Sequence, residues 1–492
     1  MIKSSLLEML RTFDKAEYLK FEDFIKSPYH NKNSNVIKLY SVIKKYSPDF
    51  ISEELDKEIV WKKIFPEKEY NYGTMKNLIH ELSKLGMKFI MLEEFEKNKI
   101  EKDLTLMNAL SSKNIVKLFS VKLNELERRY SMDSFKDEDF HVNDFYSAYS
   151  KISWMKIFFY NTNAINSFSE KDVLNGSAMF IYSFLIYLIK HYNNILAISF
   201  DLNFSTEKNL IAVFLNEISP EFIENLLKIV KVNSEKDHKI LTVFGNMANT
   251  FLNKGSVENY MEFKTSLIEN IDIFPKVDLQ DLFYCLSNSL MNLNVEKIDF
   301  GKERLEVYNA MIKSNIILKP DGTIAFIDFQ VYLWLAFFAN EFDTIEKFKE
   351  KFIKKIAPEN SEYARKFCEA LSLFGKGRYD EVLSIISSTE YLGFISKVNT
   401  KKLKVMCLYE LNDYDNFENE NKSLYHFLKN NKSLSPAARN GIKNLFDKIN
   451  RMFKLKMKFN SYDSEKLLKE ISLESINKSS WLNKKIMEFE KK

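Results

Sequence analysis

Apolar residues recur at three- and four-residue steps along nearly the whole chain. Leu6, Leu7, Leu10 and Phe13 open one stripe, Tyr18, Phe21, Phe24 and Ile25 continue it, and Met75, Leu78, Ile79, Leu82, Leu85 and Phe89 carry another. That period is the face of an α-helix, not the alternation of a strand. The first helices end at Ser27-Pro28 and Pro66, because the residue before proline leaves the α region. Further helices are predicted over about 34–46, 56–65, 71–94 and 102–130, with an acidic, aperiodic loop at 131–144. Two aromatic-rich helices follow, about 144–168 and 170–192. The second is apolar nearly all round, which predicts burial by neighbours on several sides.

From about 206 the pattern is one of helical hairpins: 206–218, 239–253 with 257–270, 278–293 with 302–314, then three regular units at about 324–356, 361–388 and 398–430. The regular units share a corner string: Asn340-Glu341-Phe342-Asp343, Gly377-Arg378-Tyr379-Asp380 and Asn412-Asp413-Tyr414-Asp415. Their aspartates are 37 and 35 residues apart, the spacing of a helical hairpin that must stack on its neighbours to bury its apolar face. Ser435-Pro436 starts a further helix to about 455, and 463–491 supplies terminal helices that cap the stack.

The expected organisation is an N-terminal helical region at 1–100, an aromatic-rich helical region at 101–235, repeats at 236–460 (clearest at 324–430) and capping helices at 461–492. The expected fold is all-α: an irregular α-solenoid of antiparallel helix hairpins behind an N-terminal helical region.

Composition agrees. Only 11 Gly and 8 Pro serve 492 residues, too few turn formers for an all-β fold of this size. The balance of 72 basic and 68 acidic residues leaves +4, without the basic surplus of most nucleic-acid binders. Cys285, Cys368 and Cys407 lie far apart inside helical patterns, which predicts buried reduced thiols and no disulfide framework. Charged residues interrupt any leader at the N-terminus, and the longest apolar run, 178–189, falls short of a bilayer span. A cytoplasmic location is expected.

The corner strings and their flanks resemble the tetratricopeptide repeat. Gly377-Arg378-Tyr379-Asp380-Glu381-Val382-Leu383 is similar to that family's Gly-x-Tyr-x-Glu-Ala-Leu string. Leu333, Ala370 and Val405 fall where it wants a small residue, with Ala336, Leu373 and Leu408 at its next inward position and Ile345, Val382 and Phe417 where it has Ala. More of the chain resembles a group of large helical proteins of Bacteroidota, through Ser27-Pro28-Tyr29-His30-Asn31-Lys32, Trp61 with Phe65-Pro66, Leu434-Ser435-Pro436 with Arg439, and Trp481-Leu482 with Lys485. The first resemblance implies a concave face formed by the first helix of each hairpin. The partner-binding candidates there are Gln330, Trp334, Phe367, Leu371, Asn399, Lys402 and Met406. A face of this composition either forms a groove for an apolar helix or peptide or is filled by tight winding. Paired cationic and amide donors for a carboxylate are limited to Asn399 and Lys402.

No catalytic, cofactor or metal motif stands out. His80-Glu81 lacks the second histidine of a zinc-protease helix, and Gly375-Lys376-Gly377 lacks the frame of a phosphate loop. The expected function is a non-catalytic protein-interaction scaffold or adaptor. The alternative is a nucleic-acid-associated protein using a helix-turn-helix-like segment at 56–94, with Thr74, Lys76, Asn77, His80 and Lys84 outward, and Lys454, Lys456 and Lys458 in the alternating stretch 451–459.

Overall fold

The computed structural model describes residues 4–490 apart from 131–139, 166, 203–208, 219, 254, 291–292, 294–297, 320, 390–393, 431–435 and 474–480. The loop expected at 131–144 and the Leu434-Ser435 start signal fall largely outside these residues. Among the described residues there are 24 α-helices and no strand, only an isolated bridge between Leu318 and Ile324. The chain is all-α. It divides into two compact units, one of residues 1–126 with 154–168, the other of 127–153 with 169–492.

The first unit contains α1 (Ser5–Arg11), α2 (Lys15–Lys26), α3 (Ser34–Ile43), α4 (Lys57–Ile64), α5 (Tyr72–Lys97), α6 (Lys99–Ser112) and most of α7 (Val116–Arg129). Asp14 and Glu17 form a capping box at α2. Asn71 accepts from the Thr74 amide and Asn98 from the Glu101 amide, so polar side chains start α5 and α6 where their apolar stripes begin. The long α5 is the spine, with α1, α2 and α3 packed on it. Phe89 closes a ring cluster with Phe13, Phe21 and Phe24. The later half of α8 (Val142–Thr162) belongs here too, Phe159 stacking on Phe119 at 3.9 Å.

In the second unit, the first half of α8 is followed by α9 (Glu170–Leu202), α10 (Leu210–Glu217), α11 (Pro220–Asn233), α12 (Glu235–Leu252), α13 (Val257–Glu269), α14 (Lys276–Ser289) and α15 (Phe300–Lys313). Then come α16 (Phe326–Phe338), α17 (Phe342–Phe352), α18 (Pro358–Gly375), α19 (Tyr379–Ser387), α20 (Phe394–Glu410), α21 (Tyr414–Asn430), α22 (Pro436–Met457), α23 (Ser461–Leu473) and α24 (Trp481–Glu490). From α11 onward each helix packs on the next, with α12 on α14, α16 on α18 and α20 on α22.

The three corner strings share one backbone solution. Asn340, Gly377 and Asn412 stand at φ 59°, 72° and 57°. The following amides, of Glu341, Arg378 and Asp413, donate to the carbonyls of Ala336, Leu373 and Leu408 at 2.9, 3.1 and 2.9 Å. Each is a left-handed cap that satisfies the orphaned carbonyls of a helix end. All nine positions aligned on the corners, from Leu333 to Phe417, are buried. The same corner occurs at Asn114 and Asn315, with bonds from Ile115 to Leu110 and from Ile316 to Met311. Gly375 sits at a close approach of α17 to α18, since a Cβ there would lie 2.6 Å from the Phe342 ring.

Candidate functional site

The seven expected partner-binding residues lie on α16, α18 and α20, whose N-terminal ends converge. Gln330 reaches across to Ser396, its Nε2 a long 3.5 Å from Oγ. Tyr363 Oη bridges the same place, 3.0 Å from the Ser396 carbonyl and 3.2 Å from Thr400 Oγ1. Tyr363 stacks on Phe367, and Phe367 meets the Trp334 indole at 5.8 Å. This convergence fills the face. Gln330, Phe367, Leu371, Asn399 and Met406 are buried, so of the two alternatives for this face these five positions meet the filled one and are not open to a partner. Trp334 and Lys402 stay half-exposed.

The polar groups of that face are poorly matched. Gln330 Oε1 and Trp334 Nε1 are buried without a hydrogen-bond partner, a state that ordinarily costs about 1–3 kcal/mol each. Desolvation pushes the pKa of Lys402 down, with no acidic group among the causes. Its neighbours on the helix differ. Lys401 and Lys404 both bind Glu420 of α21, at 3.0 and 2.5 Å, because one residue step turns a helical side chain through about 100°. Lys402 thus points elsewhere than Lys401 and Lys404, away from Glu420.

A second cluster joins residues that sequence spacing kept apart. Asp278 of α14 is fully buried. It accepts from the Val142 amide at 2.7 Å, capping α8, and lies 3.1 Å from His141 Nδ1 and 3.0 Å from Lys190 Nζ of α9. Lys190 also meets Asp281 at 3.0 Å and His141 Nδ1 at 2.8 Å. Nδ1 serves one partner at a time: protonated it donates to Asp278, neutral it accepts from Lys190. The bond to Asp278 holds the histidine pKa above its usual value. Burial works against Asp278, yet His141 and Lys190 keep its pKa below the ordinary range. His141, Asp278 and Asp281 present ligand atoms within 4.8 Å of one another, but the Lys190 ammonium lies within 3.0 Å of all three groups, where a divalent ion would sit. The cluster is an internal ion pair that ties α8, α9 and α14 together.

Two further buried carboxylates are held by tyrosines: Asp237 by Tyr146 at 2.7 Å, and Asp328 by Tyr284 at 2.6 Å and Tyr308 at 3.4 Å. Burial raises the pKa of both aspartates. The three cysteines are buried, and burial raises every thiol pKa, that of Cys368 to about 12, so none is a nucleophile at neutral pH.

The aromatic-rich helix departs most from expectation. α9 buries only one side, through Met179, Tyr182, Ile186, Ile189 and Tyr192, while Leu174, Phe180, Ile181, Phe184, Tyr187 and Ile198 are exposed. The stretch Glu170–Leu196 has mean hydropathy 1.5, and among the described residues it is the one helix long and apolar enough to cross a membrane. The 12-residue run read from the sequence understated it, because isolated polar residues interrupt the run without changing the helix's overall character. Exposed apolar residues continue on α10 (Leu210, Val213, Phe214) and α11 (Phe222, Ile229, Val232). Between α9, α10, α11 and α12 opens a cleft of ≈ 550 Å³, counting space open to solvent, lined by apolar residues such as Ile189, Leu215, Leu227 and Phe244.

The segments of the nucleic-acid alternative cover α4, α5 and the end of α22. Thr74, Lys76, Asn77, His80 and Lys84 are exposed on α5, while α4 packs on α3, and α5 on α1 and α3 alike. The stretch 451–457 is helical. Lys456 binds the Tyr409 carbonyl at 3.1 Å and Asn412 Oδ1 at 2.6 Å, which fastens it to a corner of the fold. No family model, no curated protein and no solved structure matches this chain.

Proposed function

We propose that the chain is a non-catalytic scaffold whose hairpins, α11 onward, stack as an irregular α-solenoid and hold a protein partner at the face of α16, α18 and α20. No bond is made or broken; the mechanism is binding. The observation that carries this reading is that Trp334 and Lys402 are the two of the seven candidate residues that remain partly open to solvent beside that filled face. A partner that offers an acceptor to the Lys402 ammonium and an apolar surface to the open part of the Trp334 ring gains a charge-assisted hydrogen bond and an aromatic contact. Trp334 gives the same site a half-exposed aromatic anchor of the kind that dominates protein interfaces. Successive helix contacts and the three like corners support the stacked arrangement.

The test places a photo-cross-linking amino acid at Trp334 in the full-length chain and identifies captured segments by mass spectrometry. Lys402→Gln should weaken capture at least about tenfold, the worth of a desolvated charge-assisted hydrogen bond, while leaving helicity unchanged. Recovery of nucleic acid alone, or capture indifferent to Lys402→Gln, overturns the reading.

A further inference from the structure

We propose that the outward face of α9 is a self-association surface that pairs two copies of this chain. The helix carries two seams. The inner one packs on α8 and α12, with Tyr182 meeting Tyr146 and Tyr192 meeting Phe251. The outer one runs through Phe180, Phe184, Tyr187, His191, Asn194 and Ile198, in steps that alternate four and three residues. That is the 3.5-residue period of a helix packed against another helix. Yet Phe180 is 61% exposed, Tyr187 54% and Ile198 50%. A helix that only closed its own core would need the inner seam alone.

Area and charge point to an identical partner. Scaled by their exposure, the apolar side chains of α9 present roughly 600 Å², and those of α10 and α11, which border the same cleft, about 750 Å² more, taking about 200 Å² for each side chain. The largest patch on a typical monomer is roughly 300–600 Å², and a stable dimer covers about 800 Å² per partner. The outer seam carries no carboxylate, lysine or arginine, so two copies meet without the like-charge repulsion that would disfavour an isologous contact. On its flank, Lys228 of α11 is paired with Glu224 at 2.8 Å instead of forming part of a basic rim for an anionic bilayer. Parallel pairing about a two-fold axis sets Asn194 against Asn194 and His191 against His191. A polar pair of that kind in an apolar seam fixes register.

Sedimentation velocity on the full-length chain over a concentration series should show a species of twice the chain's mass. Phe180→Glu with Tyr187→Glu should raise the dissociation constant at least about a hundredfold, as loss of two interface anchors does, and leave the circular dichroism unchanged because both side chains are exposed. Asn194→Cys should form an intermolecular disulfide under mild oxidation, since position 194 is exposed and the native cysteines are buried. A monomer at every concentration overturns the proposal, as does a dimer indifferent to the double substitution or one that resists cross-linking through position 194. So does a monomer that co-sediments with phosphatidylcholine vesicles, which would assign the face to a bilayer. Cross-linking from Trp334 should survive the double substitution, which keeps this test separate from that of the scaffold.

Discussion

Gly377 and Gly375, two residues apart on one corner, are glycine for different reasons, and substitution should separate them. Gly377 stands at φ +72° with no atom within 4 Å of a would-be Cβ, whereas a Cβ on Gly375 would lie 2.6 Å from the Phe342 ring. Alanine at 377 therefore meets only the backbone penalty of the left-handed region, roughly 1–2 kcal/mol. The stiffer unfolded chain offsets about 0.4–1 kcal/mol of that, for a net loss near 1 kcal/mol. Asparagine tolerates the left-handed region, as Asn340 and Asn412 do at the equivalent corners, so Gly377→Asn should lose less than half as much. Alanine at 375 gains about 1 kcal/mol of helix propensity but overpacks by about 1–3 kcal/mol. Its deficit should shrink when Phe342→Leu is added, a coupling that Gly377→Ala should lack. Hydrogen exchange over 365–390 is the suitable assay, because a chain of two units need not unfold in one step. A loss of 1 kcal/mol speeds exchange of the Arg378 amide, bonded to Leu373 at 3.1 Å, about fivefold. Equal acceleration in Gly377→Ala and Gly377→Asn would refute the left-handed argument.

Leu371→Ala, at a fully buried position, should destabilise the second unit by about 2–5 kcal/mol in a chemical melt; a change of under 1 kcal/mol would return this residue to an open groove. Tyr284→Phe removes the shorter donor to buried Asp328 and should cost about 1–3 kcal/mol, read as a lower melting temperature, with Tyr332→Phe as the comparison at a bond whose acceptor, Asn309, is exposed. The His141 cluster predicts a window of pH. A histidine pKa raised on folding contributes stability below its unfolded value, lost as pH rises through the folded one. A depressed Asp278 contributes above the ordinary carboxylate range and is lost as pH falls through its folded value. Protection of the Val142 amide, its exchange rate relative to the intrinsic rate at each pH, should therefore be greatest between those limits, and His141→Gln should abolish the alkaline loss of protection. Persistence of that loss in the variant would refute the assignment.

What was legible in the sequence was local. A helix corner needs one left-handed residue after an apolar stripe, so Asn340, Gly377 and Asn412 stood out, and their spacing exposed the hairpins. Asn114 and Asn315 make the same corner and carry the same signal, Asn followed by Ile at the end of a stripe; without a second copy at a fixed interval they went unread. The ion cluster was beyond reach, since His141 and Asp278 are 137 residues apart and Lys190 and Asp278 are 88 apart. The pattern leaves the inner face open between groove and filled core for a physical reason. A residue turned toward a neighbouring repeat and one turned toward solvent share the same periodicity, and only the convergence of α16 and α20 at Tyr363 decides between them. The same ambiguity hid the exposed side of α9, whose phenylalanines look like core until their neighbours are placed.

The sealed thiols have a practical corollary. Cys285, Cys368 and Cys407 sit on α14, α18 and α20, and an alkylating reagent cannot reach them while those rods stay docked. Modification of each sulfur is therefore gated by a breathing event in its own stretch of the chain, and the molecule carries three native probes of where its fold first comes apart.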